Sequence, residues 1–185
     1  MYYNEKTIIC GCKFDLFQLE INRLVHQPVG ERNFNIFYYL MGASLVNADV
    51  KKLYNIDTQF NYKILCDKDQ ITVGDDENQK FSMLRLAMNL LSIPPETADC
   101  IFRILSALLS MTNFEFEDVN GEACRLTYQD LDLIEKIAHL LGISQEAVAK
   151  LITIKQLRIR GVLTDYPLTI EEVLVVIIFN RRIYC

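Results

Sequence analysis

Phe34, Phe37, Tyr38 and Met41 recur at spacings of three, one and three. That rhythm is one face of an α-helix, and it constrains this chain more than any other stretch. Gly30 just before it is a break, because a residue without Cβ turns the chain freely. Glu31 is then expected in the first helical turn, where a negative charge suits the positive end of the helix. Upstream, Phe14, Phe17, Ile21, Leu24 and Val25 make a second such face. The stretch therefore predicts two helices joined at residues 28–30 and packed by aromatics.

Composition narrows the class. The chain has 185 residues, half of them apolar (51%), which suffices for one domain or one large subdomain with a real core. The net charge of −5 argues against a general nucleic-acid binder, which needs a basic face. The opening ten residues are too polar and too short for a secretory signal. The longest apolar run, residues 173–179, falls far short of the ~20 residues that a membrane span needs. The expectation is a soluble, cytoplasmic protein with no membrane span. Six cysteines (Cys10, Cys12, Cys66, Cys100, Cys124 and Cys185) include no C-x-x-C, and only His26 and His139 accompany them. Free thiols are expected and no metal site, since zinc wants four well-spaced ligands. Cys100 is expected on an apolar helical face.

Along the chain, residues 1–12 read as a strand and residues 48–55 as a short helix. Residues 74–79, Gly-Asp-Asp-Glu-Asn-Gln, read as a solvated acidic loop; they lack the alternating ligands and terminal Glu of a calcium loop. Phe81, Leu84, Met88 and Leu91 share a helical face. Pro94 and Pro95 mark the next helix start, and residues 96–111 are apolar nearly all round, so that helix is expected to be buried. Residues 114–117 alternate as a short strand. Thr127 with Asp130 opens another helix in the manner of a capping box. Its face is Leu131, Ile134, Ala138 and Leu141; Gly142 ends it, and His139 is a partly exposed residue near that end. Ser144 caps a further helix with Val148, Leu151 and Ile152 inward. Residues 155–166 alternate around Gly161 as a half-exposed ribbon. Thr169 and Glu172 form a capping box for a last helix over residues 170–184.

Leu19-Glu20-x-x-Arg23-Leu24-Val25, followed by Gly30-Glu31-Arg32-Asn33-Phe34-x-x-Phe37-Tyr38, resembles the segment that follows switch I in myosin motor domains. Family members typically read LEKSRVV there, then GERN[YF]xxFYQL. Residues 101–116 are similar to the family's IFxxLSAILHLGNIxF. They depart at Ser110-Met111-Thr112, where the family has His-Leu-Gly, so the helix end loses its glycine cap. The last helix resembles the family's LTxxxAxxxRDAxAKxLY, but Ile177-Ile178-Phe179 stand at the RDA position.

The resemblance covers nearly the whole of residues 1–185. It implies a mainly α-helical fold with a few short strands: the upper actin-binding subdomain of a P-loop NTPase-type motor head, without the nucleotide-binding core. Glu20, Arg23, Gly30, Glu31, Arg32, Asn33, Phe34, Phe37 and Tyr38 are then the structural motif residues. The ribbon corresponds to an actin-contacting surface loop, with Lys155, Arg158, Arg160, Asp165 and Tyr166 as the contact residues. From charge alone, that ribbon reads as an ordinary solvated edge.

No G-x-x-x-x-G-K-[ST] or G-x-G-x-x-G occurs in the sequence, nor do the family's switch I and switch II strings. Phosphoryl transfer is nearly all positioning and electrostatics, so this segment is not expected to hydrolyse ATP alone or to bind a cofactor; ATP and Mg²⁺ belong to the complete motor. No Ser/His/Asp or Cys/His arrangement can be built from two isolated histidines. The implied partners are the actin filament and the remainder of the motor, at the cytoskeleton. The alternative is a degenerate myosin-derived helical module with a non-motor protein-interaction role. Residues 175–179 and 1–12 are the expected exposed apolar patches.

Overall fold

A 17-residue helix, α4 (Pro95–Met111), forms the centre of the molecule. Pro95 sits in its first turn, where the missing N–H costs nothing. The computed structural model describes residues 2–11, 13, 15, 23, 31–59, 61–65, 75–159, 161–169, 172 and 173. Before α4 come β1 (Tyr2–Tyr3), β2 (Ile9–Gly11), α1 (Asn35–Val46), α2 (Ala48–Leu53) and α3 (Asp75–Leu90). After it come β3 (Phe116–Val119), β4 (Ala123–Leu126), a 3₁₀ turn at Tyr128–Asp130, α5 (Leu131–Leu141), α6 (Gln145–Thr153), β5 (Ile154–Ile159) and β6 (Val162–Pro167). The strands form three separate antiparallel pairs, β1–β2, β3–β4 and β5–β6. The fold is helix-rich with short strands.

α4 serves two hydrophobic clusters. Phe102 and Leu109 join Phe37, Leu40, Met41, Tyr54, Tyr62 and Phe81 in the first. Ala107 joins Phe114, Ile134, Ile137, Ala138, Val148 and Ile152 in the second. Two inward sides explain why the sequence reads as apolar nearly all round. The third side is nonetheless in solvent: Ile101 and Ile104 are 40% and 50% exposed, so the expectation of a fully buried helix is corrected. Cys100 is likewise exposed, not packed. At its end α4 has no left-handed cap. Thr112 stays helical (φ −69°) and its hydroxyl donates to the Leu109 carbonyl at 2.7 Å, which satisfies an orphan acceptor without glycine.

The acidic stretch after Gly74 is corrected too. Asp75, Asp76 and Glu77 are the first turn of α3, where three carboxylates meet the positive helix end. Phe81 is buried and Leu84 and Met88 pack against the first cluster, as periodicity predicts. Leu91 lies beyond the helix and is 67% exposed. Met83, Leu86 and Leu90 are also exposed, at 68%, 58% and 75%, so α3 carries a second apolar ridge on its outward side.

Three elements meet at a polar cluster that periodicity did not reveal. The Tyr54 hydroxyl donates to Asp99 Oδ1 at 2.6 Å, and Arg85 Nη1 donates to the same oxygen at 2.7 Å. Burial raises the Tyr54 hydroxyl, and the Asp99 hydrogen bond raises it further. For Asp99, burial pushes the carboxyl up, but the bonds from Tyr54 and Arg85 outweigh it and hold the group below its ordinary value. Nearby, Asn47 separates α1 from α2: its Oδ1 accepts from the amides of Asp49 and Val50, capping the second helix.

Several expectations are met and several shift. α2 falls within residues 48–55. The Thr127–Asp130 capping box forms, with the buried Asp130 carboxylate also accepting the Glu115 amide. Gly142 ends α5 at φ +68°, a left-handed value that suits glycine. Ser144 caps α6 by accepting the Ala147 amide at 3.2 Å. Leu131 and Leu151, expected inward, are 55% and 49% exposed. The strand read at residues 114–117 lies at Phe116–Val119. Residues 2–11 form a hairpin, not one strand: Asn4 Oδ1 accepts from the amides of Lys6 and Ile8 and turns the chain. The helical face over Phe14, Phe17, Ile21, Leu24 and Val25, the junction at residues 28–30, and the chain after Val173 lie outside the described residues.

Two outcomes follow. Phe102, 1% exposed between Tyr54 and Phe81, loses about 3–5 kcal/mol on truncation to alanine, read as a lower urea midpoint at unchanged slope. Asp99 has a folded pKa below its unfolded value of 3.8, so its stabilisation is present above that pH and is lost as pH falls through the folded value. Thermal unfolding of Asp99→Asn between pH 5 and pH 2 should therefore show a flatter acid limb than the parent.

Candidate functional site

The corner before α1 is built by side chains that take backbone groups away from helical use. Asn33, 1% exposed, donates from Nδ2 to the Ile64 carbonyl at 2.9 Å and accepts the Phe34 amide on Oδ1 at 2.7 Å. Its own amide donates to the Tyr38 hydroxyl at 3.0 Å. Such local bonds compete with helix formation, so α1 begins only at Asn35, with Phe34 as N-cap. Glu31 therefore precedes the helix and is not in its first turn, which corrects the sequence expectation. Phe37 and Tyr38 are buried at 4% and 0%, and Phe34 is half-buried against the same cluster.

Charge fixes this corner to α3. Arg32 Nη1 donates to Glu77 Oε1 at 2.8 Å, and its guanidinium lies 4.8 Å from the centre of the Tyr38 ring. The Glu77 side chain is only 6% exposed. Arg23 donates to the Arg32 carbonyl at 2.9 Å and stands 3.6 Å from the Glu31 carboxylate. Arg23, Glu31, Arg32, Asn33, Phe34 and Asn35 line an open groove of about 480 Å³. Its arginines already meet carboxylates, so it does not present itself as an anion cradle. Glu20 and Gly30 lie outside the described residues.

The ribbon is the second place. Thr153 closes α6 by donating its hydroxyl to the Ala149 carbonyl, and Ile154 turns extended (φ −129°, ψ 130°) to open β5. The strands run Ile154↔Pro167 to Ile159↔Val162. Gly161 at φ +85° makes the tight return. Directly opposed residues share a face. Lys155 with Tyr166, Leu157 with Thr164 and Ile159 with Val162 lie on one side; Gln156 with Asp165 and Arg158 with Leu163 lie on the other. Gln156 Nε2 donates to Asp165 Oδ1 at 2.8 Å.

The five ribbon residues expected to act together are thus divided. Lys155 sits at the base, half-buried, and its ammonium meets the Glu172 carboxylate. Arg158 is exposed on the opposite face. Arg160 lies outside the described residues. Asp165 is taken up by Gln156, and Tyr166 is 36% exposed beside Lys155. Leu157, Ile159, Val162 and Leu163 are exposed by 45–66%, so both faces of the ribbon are open, not one. Among the described residues no third strand flanks it.

Sequence reasoning missed Glu77, although its position four before Phe81 marks the same helical face. It also missed the Tyr54–Arg85–Asp99 cluster, for which spacing gives no signal. Elsewhere the chemistry is sparse. Cys10 and Cys100 are exposed thiols, and burial raises the thiol of Cys124. Among the described residues, no group of three or more His, Cys, Asp or Glu side chains is placed to hold a metal ion, and no helix is long and apolar enough to cross a membrane.

The model of the myosin head (motor domain) matches residues 1–183. The chain is 34% identical over 149 residues to Myosin-J heavy chain of Dictyostelium discoideum, covering 78% of this chain and 6% of that protein. It is 32% identical over 161 residues to Myosin-2A of Naumovozyma castellii, covering 86% of this chain and 10% of that protein. With Myosin IC heavy chain of Dictyostelium discoideum it shares 29% over 160 residues, 85% of this chain and 13% of that protein. The chain thus spans roughly a tenth of the length of these relatives.

Removal of Arg32 takes a cation away from a carboxylate whose side chain is only 6% exposed. Arg32→Ala should cost about 3 kcal/mol in urea unfolding, whereas Arg32→Met combined with Glu77→Leu should recover most of that loss.

Proposed function

Since the chain belongs to the myosin head (motor domain) family, we propose that residues 1–185 are the upper actin-binding subdomain of such a head, one jaw of the filament-binding cleft in an actin-based cytoskeletal motor. The observation that carries this reading is the β5–β6 ribbon. It projects two open faces and an exposed arginine from an otherwise acidic chain. Basic groups of this kind steer encounter with an acidic filament surface and fix orientation more than they add affinity. Arg158 and Arg160 are the proposed contacts, with Asp165 holding Gln156 across the strands and Tyr166 on the other face beside Lys155.

The rest of the motor supplies the chemistry. In the family's P-loop NTPase-type head, ATP and Mg²⁺ are held by a phosphate loop and two switches. The sequence has none of those strings, and its residues do not fit the nucleotide; no hydrolytic step is assigned to them. The Arg23–Glu31–Arg32–Asn33 corner is instead the structural joint on which the subdomain is built. Partners are the filament and the remainder of the head, at the cytoplasmic cytoskeleton.

A second reading has its own support in the sequence. Ile177-Ile178-Phe179 stand where the family has a charged pair, and Thr112 stands where it has glycine. Both departures favour a myosin-derived helical module that binds some other protein.

Filament co-sedimentation separates the two. Reversing Arg158 and Arg160 to Glu should weaken binding several-fold, more at low salt than at high, with circular dichroism unchanged. Equal pelleting of parent and variant would remove the filament reading and leave the interaction module.

A further inference from the structure

Both strands of the ribbon are tied down at one carboxylate. Glu172 closes the capping box that follows β6: its Oε2 accepts the Thr169 amide at 3.1 Å, and its own amide donates to the Thr169 hydroxyl at 3.2 Å. Its other oxygen, Oε1, takes the ammonium of Lys155, the second residue of β5. Between them, the Leu168 amide donates to the Thr153 carbonyl at 2.8 Å, and the Leu168 carbonyl accepts the Cys124 amide at 2.8 Å. Leu168, 3% exposed, packs with Cys124 and Val173 in a small cluster of its own. The base of the ribbon is therefore anchored, whereas its strands are free on both sides among the described residues.

In a two-stranded ribbon without a flanking strand, the contacts at the base set the angle. We propose that Lys155 is a positioning residue: it fixes the ribbon through Glu172 and does not itself touch the filament. The proposal rests on the filament-binding reading of the ribbon. Lys155 faces the side opposite Arg158, so the two cations do not converge on one partner surface. The Lys155–Glu172 pair is partly exposed, with side-chain exposures of 38% and 40%, and contributes little to global stability. Its effect is on direction. The hydrogen bond from Lys155, followed by that from Thr169, also holds the Glu172 carboxyl below its ordinary range, so that carboxylate stays ionised at neutral pH.

Lys155→Met, Glu172→Gln, the double variant and Lys155→Arg test this in the whole chain. Glutamine keeps the cap, since its side-chain oxygen still accepts the Thr169 amide, but loses the charge. Two readouts are taken: co-sedimentation with actin filaments, and amide hydrogen exchange over residues 154–159 and 162–167 without filaments. The expected result is an equal loss of about two- to five-fold in filament affinity for both single variants and for the double. Exchange in the ribbon should quicken in all three, and Lys155→Arg should behave as the parent. Glu172→Gln weakening binding is the telling sign, because deleting a negative charge near an acidic filament strengthens it on electrostatics alone. If Glu172→Gln binds as tightly as the parent or tighter while Lys155→Met is weaker, Lys155 is a direct contact and the proposal is overturned. If the filament reading itself is wrong, Arg158→Glu leaves binding unchanged as well. The exchange pattern then decides, and equal exchange in parent and variants overturns the positioning role.

Discussion

A carboxylate that is nearly buried has to be met by a cation, and Glu77 is that carboxylate. Desolvating it alone is expensive enough that the group would neutralise or the helix would shift. Arg32 meets it at 2.8 Å while lying against Tyr38, so one guanidinium joins the chain before α1, the first turn of α3 and an aromatic core residue. The helices on which the first cluster depends are placed by this contact. The Tyr54–Arg85–Asp99 cluster repeats the device one layer on, tying the end of α2 to α3 and α4. Much of the packing is apolar, but the fastening of one helix to the next is polar.

The ribbon stands in contrast to that interior. Its residues are mostly exposed, its strands pair only with each other among the described residues, and it meets the body through Leu168, Thr153 and Glu172. An element so attached presents side chains away from the body without drawing on the core. The division is between a helical interior held by packing and ion pairs and a ribbon that lies largely in solvent.

Legibility in the sequence followed the reach of the interaction concerned. Residues fixed by their own backbone geometry or by neighbours within a turn were readable: Pro95 and the Gly161 return need only the local chain, and the Thr127–Asp130 and Thr169–Glu172 boxes, Ser144 and Gly142 depend on partners three or four positions away. The ribbon's alternation was readable for the same reason. Residues fixed by partners far along the chain were not. Glu77 is 45 positions from Arg32, and Tyr54 is 45 from Asp99, so an acidic stretch read as a loop became a helix start. Asn33, whose bonds to Phe34 and Tyr38 delay α1, is itself held by the Ile64 carbonyl, 31 positions on. α4 misled in another way, since an all-round apolar pattern served two clusters and still left Ile101 and Ile104 in water. The family motif was legible as a string of letters; the Glu77 that Arg32 meets lies outside it.

α3 shows what the polar fastenings decide. Phe81, Leu84 and Met88 face inward, while Met83, Leu86 and Leu90 form an outward ridge of similar bulk. Rolled half a turn about its axis, the helix would offer the core an alternative set of apolar side chains, and hydrophobic burial alone discriminates weakly between the two. Glu77 and Arg85 break that near-degeneracy, because only the observed roll brings the first to Arg32 and the second to Tyr54 and Asp99. In this helix the greasy residues supply the adhesion, and two charged ones choose which way it faces.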